Sequence, residues 1–260
     1  MPGLEFSGVV AATGPDVRDL QPGARVFGIL GGGGHATHVL TRESHCAEVP
    51  ESLDLVDAGA VPEVFVTAHD ALLVQAGLRP GERVLIHAVG SGVGTAAVQL
   101  ARAVGAITVG TSRTQDKLRR AAELGLDQGV VAGGDMSAVG DVDVVLDLVG
   151  GDYVAADMAA CRERGRIIVV SLLAGSACEI DLAVVMRKRL TIMGTVLRAR
   201  PPHEKAVAMR RFAREVVPLF ERGALRPVIE RVFPLSEAPE AYDLVGSNRT
   251  FGKIVLAPGR

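Results

Sequence analysis

The sequence predicts an α/β protein: a doubly wound, mostly parallel sheet, with a β-rich segment ahead of it. Three observations carry that expectation. The stretch from Glu82 to Arg113 reads as strand, glycine turn, helix and strand in succession. The same alternation of short apolar runs and helical periodicity continues to about Leu197. Residues 1–50 differ, with short apolar runs punctuated by Gly14-Pro15, Pro22-Gly23 and Gly31 to Gly34, as in a β-barrel.

Taken in order, strands are expected at Phe6–Ala12, Ala24–Leu30, Ala36–Leu40 and Cys46–Val49. Asp54–Gly77 turns helical, with Ser52 or Asp54 as N-cap, and Arg79-Pro80-Gly81 breaks it. Val84, Leu85 and Ile86 mark a buried strand over Arg83–His87. After the glycines at 90, 92 and 94, apolar residues recur at Val93, Ala96, Ala97, Leu100, Ala101 and Val104, the spacing of an amphipathic helix. Gly105 ends that helix and Ala106–Gly110 is the next strand. Then follow a helix over Thr114–Leu124, strands over Gln128–Ala132 and Val142–Leu148, a helix over Gly151–Cys161, and strands over Arg166–Leu172 and Leu190–Leu197. A long helix from about His203 to Arg222, a strand over Val228–Pro234, a helix over Ser236–Val245 and a strand over Lys253–Leu256 complete the chain.

The glycine turn is where the chemistry is expected. Without Cβ atoms the chain comes close to a pyrophosphate, and the helix behind it aims free N–H groups and its positive end at the charge. The motif itself is imperfect. Strict G-x-G-x-x-G needs glycine at 95, which is Thr95; the spacing A-x-x-G-x-x-G runs Ala88, Ser91, Gly94, with serine for the middle glycine. A purely structural glycine turn in another parallel sheet is the competing reading. The residues after the second strand point to NADPH. NAD sites usually place an acid about 20 residues beyond the turn. Here Thr111 to Gln115 holds no acid but supplies Ser112, Arg113 and Thr114, with Lys117 one turn on. Two cations and two hydroxyls suit a 2′-phosphate.

Other function classes find little support. A formal net charge of −2 gives no reason to expect nucleic acid or an anionic membrane as partner. No apolar run is long enough to span a bilayer, and no signal peptide is read at the N-terminus. Cys46, Cys161 and Cys178 are scattered, which fits a reduced, cytoplasmic protein; Cys161 and Cys178 read as inert. His35-x-x-His38, read in a strand, puts its rings on opposite faces, so no metal is expected. His87 reads as a hydrogen-bonded core residue, Asp147 as a brace for its loop, and Arg187-Lys188-Arg189 as a solvated helix end. Leu190–Leu197, apolar and last in its sheet, is expected to be an edge that pairs with a second copy in a homodimer.

Four stretches carry a resemblance across nearly the whole chain: GLEFSGVVAATG from Gly3, ERVLIHAVGSGVGTAAVQLA from Glu82, DLVGGDY from Asp147 and RKRLTIMGTVLRARP from Arg187. Together they resemble the zinc-free quinone oxidoreductase (zeta-crystallin-like) branch of the medium-chain dehydrogenase/reductase superfamily. The resemblance implies a GroES-like barrel at 1–62, a Rossmann NADPH-binding domain at 63–227 and a segment returning to the barrel at 228–260. Ala88, Gly90, Ser91, Gly92, Val93 and Gly94 would cradle the pyrophosphate, and Ser112, Arg113 and Lys117 the 2′-phosphate. Val149, Gly150, Leu172 and Leu173 would line the nicotinamide end, Thr67 would lie beside the ring, and Lys253 would approach from the return segment. The activity implied is zinc-independent reduction of a small quinone or enone. An enoyl reductase of the same superfamily, or a cofactor-binding protein with little turnover, are the alternatives.

Departures from the family pattern are equally specific. Zinc-dependent relatives have histidine where this chain has Leu4 and a cysteine ligand where it has Thr67, and no four-cysteine lobe is present. The tyrosine that relatives use at the 2′-phosphate falls near Gly133 and is lost, a loss for which Arg113 can compensate. Family members also carry strands before the GLEFSG motif, so the barrel is expected to be incomplete, with unpaired edges and part of its core uncovered.

Overall fold

The computed structural model describes residues 2–133 and 136–259, which divide into two compact units. The first unit takes Met1–Thr67 and Leu197–Arg260; the second is Ala68–Val196.

In the first unit, β1 (Glu5–Val9), β2 (Arg25–Ile29) and β3 (Cys46–Glu48) form an antiparallel sheet in that order. The central strand β2 is nearly all buried, whereas β1 is half-buried and has an unpaired edge. Ala36–Leu40 is not a strand, contrary to expectation: among the described residues no strand pairs with it, and Leu40 is 98% exposed. β propensity needs a partner and a face to bury, and neither is present here. The Gly31–Gly34 run instead packs its backbone against residues 2–5, with Gly33 N–H on the Pro2 carbonyl and Gly34 N–H on the Gly3 carbonyl, both at 2.9 Å. A Cβ at Gly34 would stand 2.5 Å from the Glu5 carbonyl oxygen, so glycine is required for that approach.

Helices α1 (Leu55–Ala58) and α2 (Pro62–His69) follow, the first capped by the Asp54 carboxylate accepting from Asp57 N–H at 2.8 Å. The helical stretch expected over 54–77 is therefore interrupted at 59–61, and its end, Asp70–Gln75, winds as a π-helix.

The second unit holds β4 (Arg83–Ile86), α3 (Gly92–Val104), β5 (Ile107–Ser112), α4 (Gln115–Ala122), β6 (Gln128–Val131), β7 (Val142–Asp147), α5 (Tyr153–Ala160), β8 (Cys161–Val169), α6 (Leu182–Lys188) and β9 (Thr191–Gly194). All the strand pairings are parallel, in the order β6-β5-β4-β7-β8-β9. Chain order reverses direction between β4 and β7, the doubly wound arrangement the alternation predicts. Strands buried on both faces read as continuous apolar runs; Val84, Leu85, Ile86, Val144, Val145 and Leu146 are all buried. β9 is an edge, as expected, although shorter than 190–197. α6 forms where no helix is expected from the sequence, and Asp181 caps it by accepting from Ala183 N–H at 2.8 Å. Its end is not simply solvated: Lys188 Nζ donates to the carbonyls of Met158, Ala159 and Cys161 and so closes the end of α5.

The chain then returns to the first unit through α7 (Pro202–Glu215), α8 (Val217–Glu221), β10 (Ile229–Pro234), α9 (Ala238–Gly246) and β11 (Lys253–Ala257). The single long helix expected over 203–222 breaks at Val216, whose φ is −112°. The domain limits expected from sequence differ from the contact grouping over 63–67 and over 197–227, the latter because this helical pair fills the first unit's core. Phe212 packs edge-on to Phe27 at 5.9 Å between ring centroids, and Phe220 to Phe65 at 4.8 Å. β10 and β11 pair in parallel as a separate two-stranded sheet.

Candidate functional site

The turn between β4 and α3 leaves the carboxyl end of the sheet beside the β4/β7 reversal, where ligands bind in open α/β sheets. Backbone bonds fix it on both sides. His87 N–H donates to the Leu146 carbonyl at 3.1 Å, and Val89 N–H to the Thr111 carbonyl at 3.0 Å. Ala88 takes φ +49°, a left-handed conformation costly for a residue with a Cβ, by about 1–3 kcal/mol. Ser91 is the N-cap of α3, its hydroxyl accepting from Gly94 N–H at 3.0 Å. The serine that spoils the glycine pattern thus serves as the helix cap. Gly94 admits no side chain, since a Cβ there would lie 2.4 Å from the Ala88 carbonyl oxygen. At Gly90 a Cβ would lie 2.7 Å from Cδ of Lys117, so the lysine stem lies over the turn. Gly92 and Val93 form the first turn of α3, where the free N–H groups and the positive end of a helix dipole lie.

At the carboxyl end of β5, Ser112 is buried and Arg113 exposed. Thr114 caps α4 by accepting from Lys117 N–H at 3.4 Å. Asp116, the nearest acid, pairs with Arg119 at 2.7 Å on the same helix. Ser112, Arg113 and Lys117 therefore collect at one connection, next to the turn. Across the reversal, the fully buried Asp147 accepts from Val149 N–H at 2.7 Å and Gly150 N–H at 2.9 Å, the bracing role read from sequence. Gly150, at φ +72°, packs against residues 171–175, bridging to Gly175. Leu172 and Leu173 are thereby brought beside Val149 and Gly150, and both are exposed, Leu173 at 79%. The structure thus gathers all of the expected cofactor residues of the second unit at one end of one sheet.

Two expected residues belong to the first unit. Thr67 is buried on α2. Lys253, at the start of β11, pairs with the Glu5 carboxylate. Burial alone would lower the Lys253 ammonium pKa, but Glu5, with Glu63 beyond it, holds it above the ordinary value. Glu5 also accepts from Glu63 N–H at 2.9 Å. Burial first, and Glu5 second, push the Glu63 carboxyl up to about 7. Beside this group a cavity of about 810 Å³ opens, lined by Phe6, Val10, Leu40, Tyr242, Ile254 and Leu256 among others.

His35 and His38 do not lie in a strand, contrary to expectation, so the opposite-face placement of their rings does not hold; the His35 ring stands 5.8 Å from that of Tyr242, centroid to centroid. Among the described residues no group of three His, Cys, Asp or Glu side chains could hold a metal ion. Burial pushes the Cys161 thiol up to about 12, in keeping with an inert residue. His87 is indeed a core residue, with Nδ1 2.8 Å from Thr111 Oγ1 and Nε2 2.7 Å from Asp157 Oδ1. Asp157 was missed. The one signal was a single acid on the apolar helix YVAADMAA.

This is the fold and the turn of a nicotinamide-dinucleotide oxidoreductase. Residues 124–256 match the zinc-binding dehydrogenase family and residues 1–51 the alcohol dehydrogenase GroES-like domain, and the chain belongs to the medium-chain dehydrogenase/reductase superfamily that these define. It is 32% identical to a quinone oxidoreductase of Sus scrofa, over 98% of this chain and 79% of that one. It is 37% identical to a stretch of the spectinabilin polyketide synthase system protein NorB of Streptomyces orinoci, over 98% of this chain but only 12% of that protein. Among solved structures, an NAD-dependent alcohol dehydrogenase superposes with a TM-score of 0.85 at 31% identity, covering 99% of this chain and 82% of the other. The CurK enoyl reductase superposes with a TM-score of 0.83 at 26% identity, covering 99% and 79%. The zinc in the family's name has no matching donor set among the described residues.

Proposed function

We propose that the protein is an NADPH-dependent reductase of quinones or related α,β-unsaturated carbonyls, working without zinc. The observation that carries the cofactor reading is the tight turn at 88–94 between β4 and α3, beside the β4/β7 reversal, where Gly94 packs against the backbone of Ala88 and Val89 and Ser91 starts the helix. The cofactor, when bound, supplies the hydride. The protein's part is to bind and orient it and to exclude water. In this reading Ala88, Gly90, Ser91, Gly92, Val93 and Gly94 hold the pyrophosphate, while Ser112, Arg113 and Lys117 hold the 2′-phosphate. Val149, Gly150, Leu172 and Leu173 give the nicotinamide end an apolar wall, and Thr67 and Lys253 belong to the substrate side. The identity to a quinone oxidoreductase over most of its length supports the acceptor class.

Enoyl reduction is the second reading, favoured by the likeness to a polyketide synthase stretch and to the CurK enoyl reductase. Steady-state oxidation of NADPH, with a quinone in one arm and an enoyl thioester in the other, separates the two. Faster turnover with the quinone is expected. Turnover with the thioester alone would replace the first reading by the second, and tight binding without turnover in either arm would indicate a cofactor-binding protein of little activity.

We also propose a homodimer through β9, whose unpaired edge carries Ile192 at 37% exposure. Light scattering at micromolar concentration should give twice the chain mass; a folded monomer would dismiss the dimer. A reducing, cytoplasmic setting suits three cysteines that are all unpaired.

A further inference from the structure

We propose that His87 is a positioning residue of the dinucleotide site, holding its three binding segments in one arrangement through a buried network with Thr111, Asp157 and Tyr153. This rests on the cofactor reading above. His87 is fully buried and stands immediately before Ala88, the strained first residue of the phosphate turn. Its Nδ1 meets Thr111 Oγ1 at 2.8 Å, and Thr111 immediately precedes Ser112 and Arg113. Its Nε2 meets Asp157 Oδ1 at 2.7 Å, on the helix that follows Gly150 and Gly151. The Tyr153 ring, in the first turn of that helix, stands edge-on to the imidazole, 4.9 Å between centroids at 90°. One side chain thus touches the pyrophosphate turn through the backbone, the 2′-phosphate segment through Thr111, and the element behind the nicotinamide-end loop through Asp157 and Tyr153.

A purely apolar core would not need such an arrangement. Burying an imidazole and a carboxylate is unfavourable unless their polar atoms are satisfied, and an apolar pair of like volume would pack as well. Among the described residues Asp157 Oδ1 bonds to His87 while its Oδ2 is buried without a partner. Asp147, which braces Val149 and Gly150, acts electrostatically on Asp157, and its own buried Oδ2 likewise has no partner among the described residues. A two-nitrogen ring clamped from opposite sides fixes direction as well as distance, which apolar contacts do not.

The test titrates the full-length protein with NADPH and with NADH, as wild type and as Thr111→Val and Asp157→Asn. Thr111→Val keeps the β-branched shape and removes only the hydroxyl. Each variant should weaken both dinucleotides by roughly three- to tenfold, because the turn is common to them. The NADPH/NADH ratio should stay at its wild-type value, unlike the ratio in Arg113→Ala. In the wild type, the ring nitrogens of His87, followed by ¹⁵N NMR, should shift on saturation with NADP⁺; this measurement needs no variant to fold. Unchanged affinities in folded variants, or ring signals unmoved by NADP⁺, would make the network merely structural and overturn the proposal while leaving the cofactor reading intact. A wild type that binds neither dinucleotide would overturn both.

Discussion

The two sheets of this chain meet their surroundings in opposite ways. β4 and β7 lie in the middle of six parallel strands with their apolar side chains fully buried, whereas β1 sits at the open edge of three antiparallel strands with Val9 54% exposed beside a cavity of about 810 Å³. Burial on both faces gives the parallel sheet a rigid carboxyl end, and every polar group proposed to hold a dinucleotide in that unit is attached there. The antiparallel sheet carries instead an ionic group, Glu5, Glu63 and Lys253, at the margin of incomplete packing. Full burial and the proposed dinucleotide site coincide in one unit, and the cavity lies in the other.

The largest expected effect is a test of that contrast in stability. Ile86→Ala empties a fully buried position and should cost about 2–5 kcal/mol. Val9→Ala removes a side chain already half in water and should stay within about 0.5 kcal/mol. Urea denaturation of both variants measures the difference; similar losses would mean that β1 is covered in solution.

A smaller effect concerns pH and the open unit alone. Glu63 in the folded protein titrates near 7, against 4.5 ordinarily. Between those values the folded state keeps a proton that the unfolded chain releases. The stabilising contribution is therefore complete below 4.5 and lost as pH rises through about 7. A loss on the order of 1–3 kcal/mol is expected across that window. Glu63→Gln should remove this part of the pH dependence, as read by melting temperature at pH 5 and pH 8. An identical pH slope in the variant would show the carboxyl to be hydrated.

How much could be read in advance follows the same division. Val84, Leu85 and Ile86, the glycines at 90, 92 and 94, and Gly105 each dictate a local conformation, so β4, α3 and the start of β5 were legible residue by residue. A helix cap at Ser52 or Asp54 was legible for the same reason, and the structure selects Asp54. Ala36–Leu40 was not, because a strand exists only if another strand pairs with it. The break at Val216 was encoded locally after all, in Pro218, which has no N–H to continue a helix and stands in the first turn of the next one; the π-helix at Asp70–Gln75 has no such mark in the sequence. Asp157 pairs with His87 across 70 residues, and nothing near either residue announces the other. Ser91 was read as a defect in a glycine pattern, and its role as the α3 cap emerged only with the helix start in place.

The smallest expected effect sharpens the comparison within the parallel unit. Ala88→Gly relieves the left-handed strain at φ +49° and should be neutral to stabilising, by at most about 1 kcal/mol. Denaturant midpoints check this. A loss beyond about 1 kcal/mol would mean that the alanine methyl packs more strongly than the strained conformation costs.

The most direct measurement on the central claim is equilibrium titration of the wild type and Arg113→Ala with NADPH and NADH. The wild type should bind NADPH at least roughly tenfold more tightly, equivalent to ~1.4 kcal/mol. Arg113→Ala should lose most of that preference while binding NADH nearly as before, since the guanidinium contacts only the 2′-phosphate. Equal wild-type affinities, or equal losses for both cofactors in the variant, would contradict the assignment of Ser112, Arg113 and Lys117 to a 2′-phosphate site.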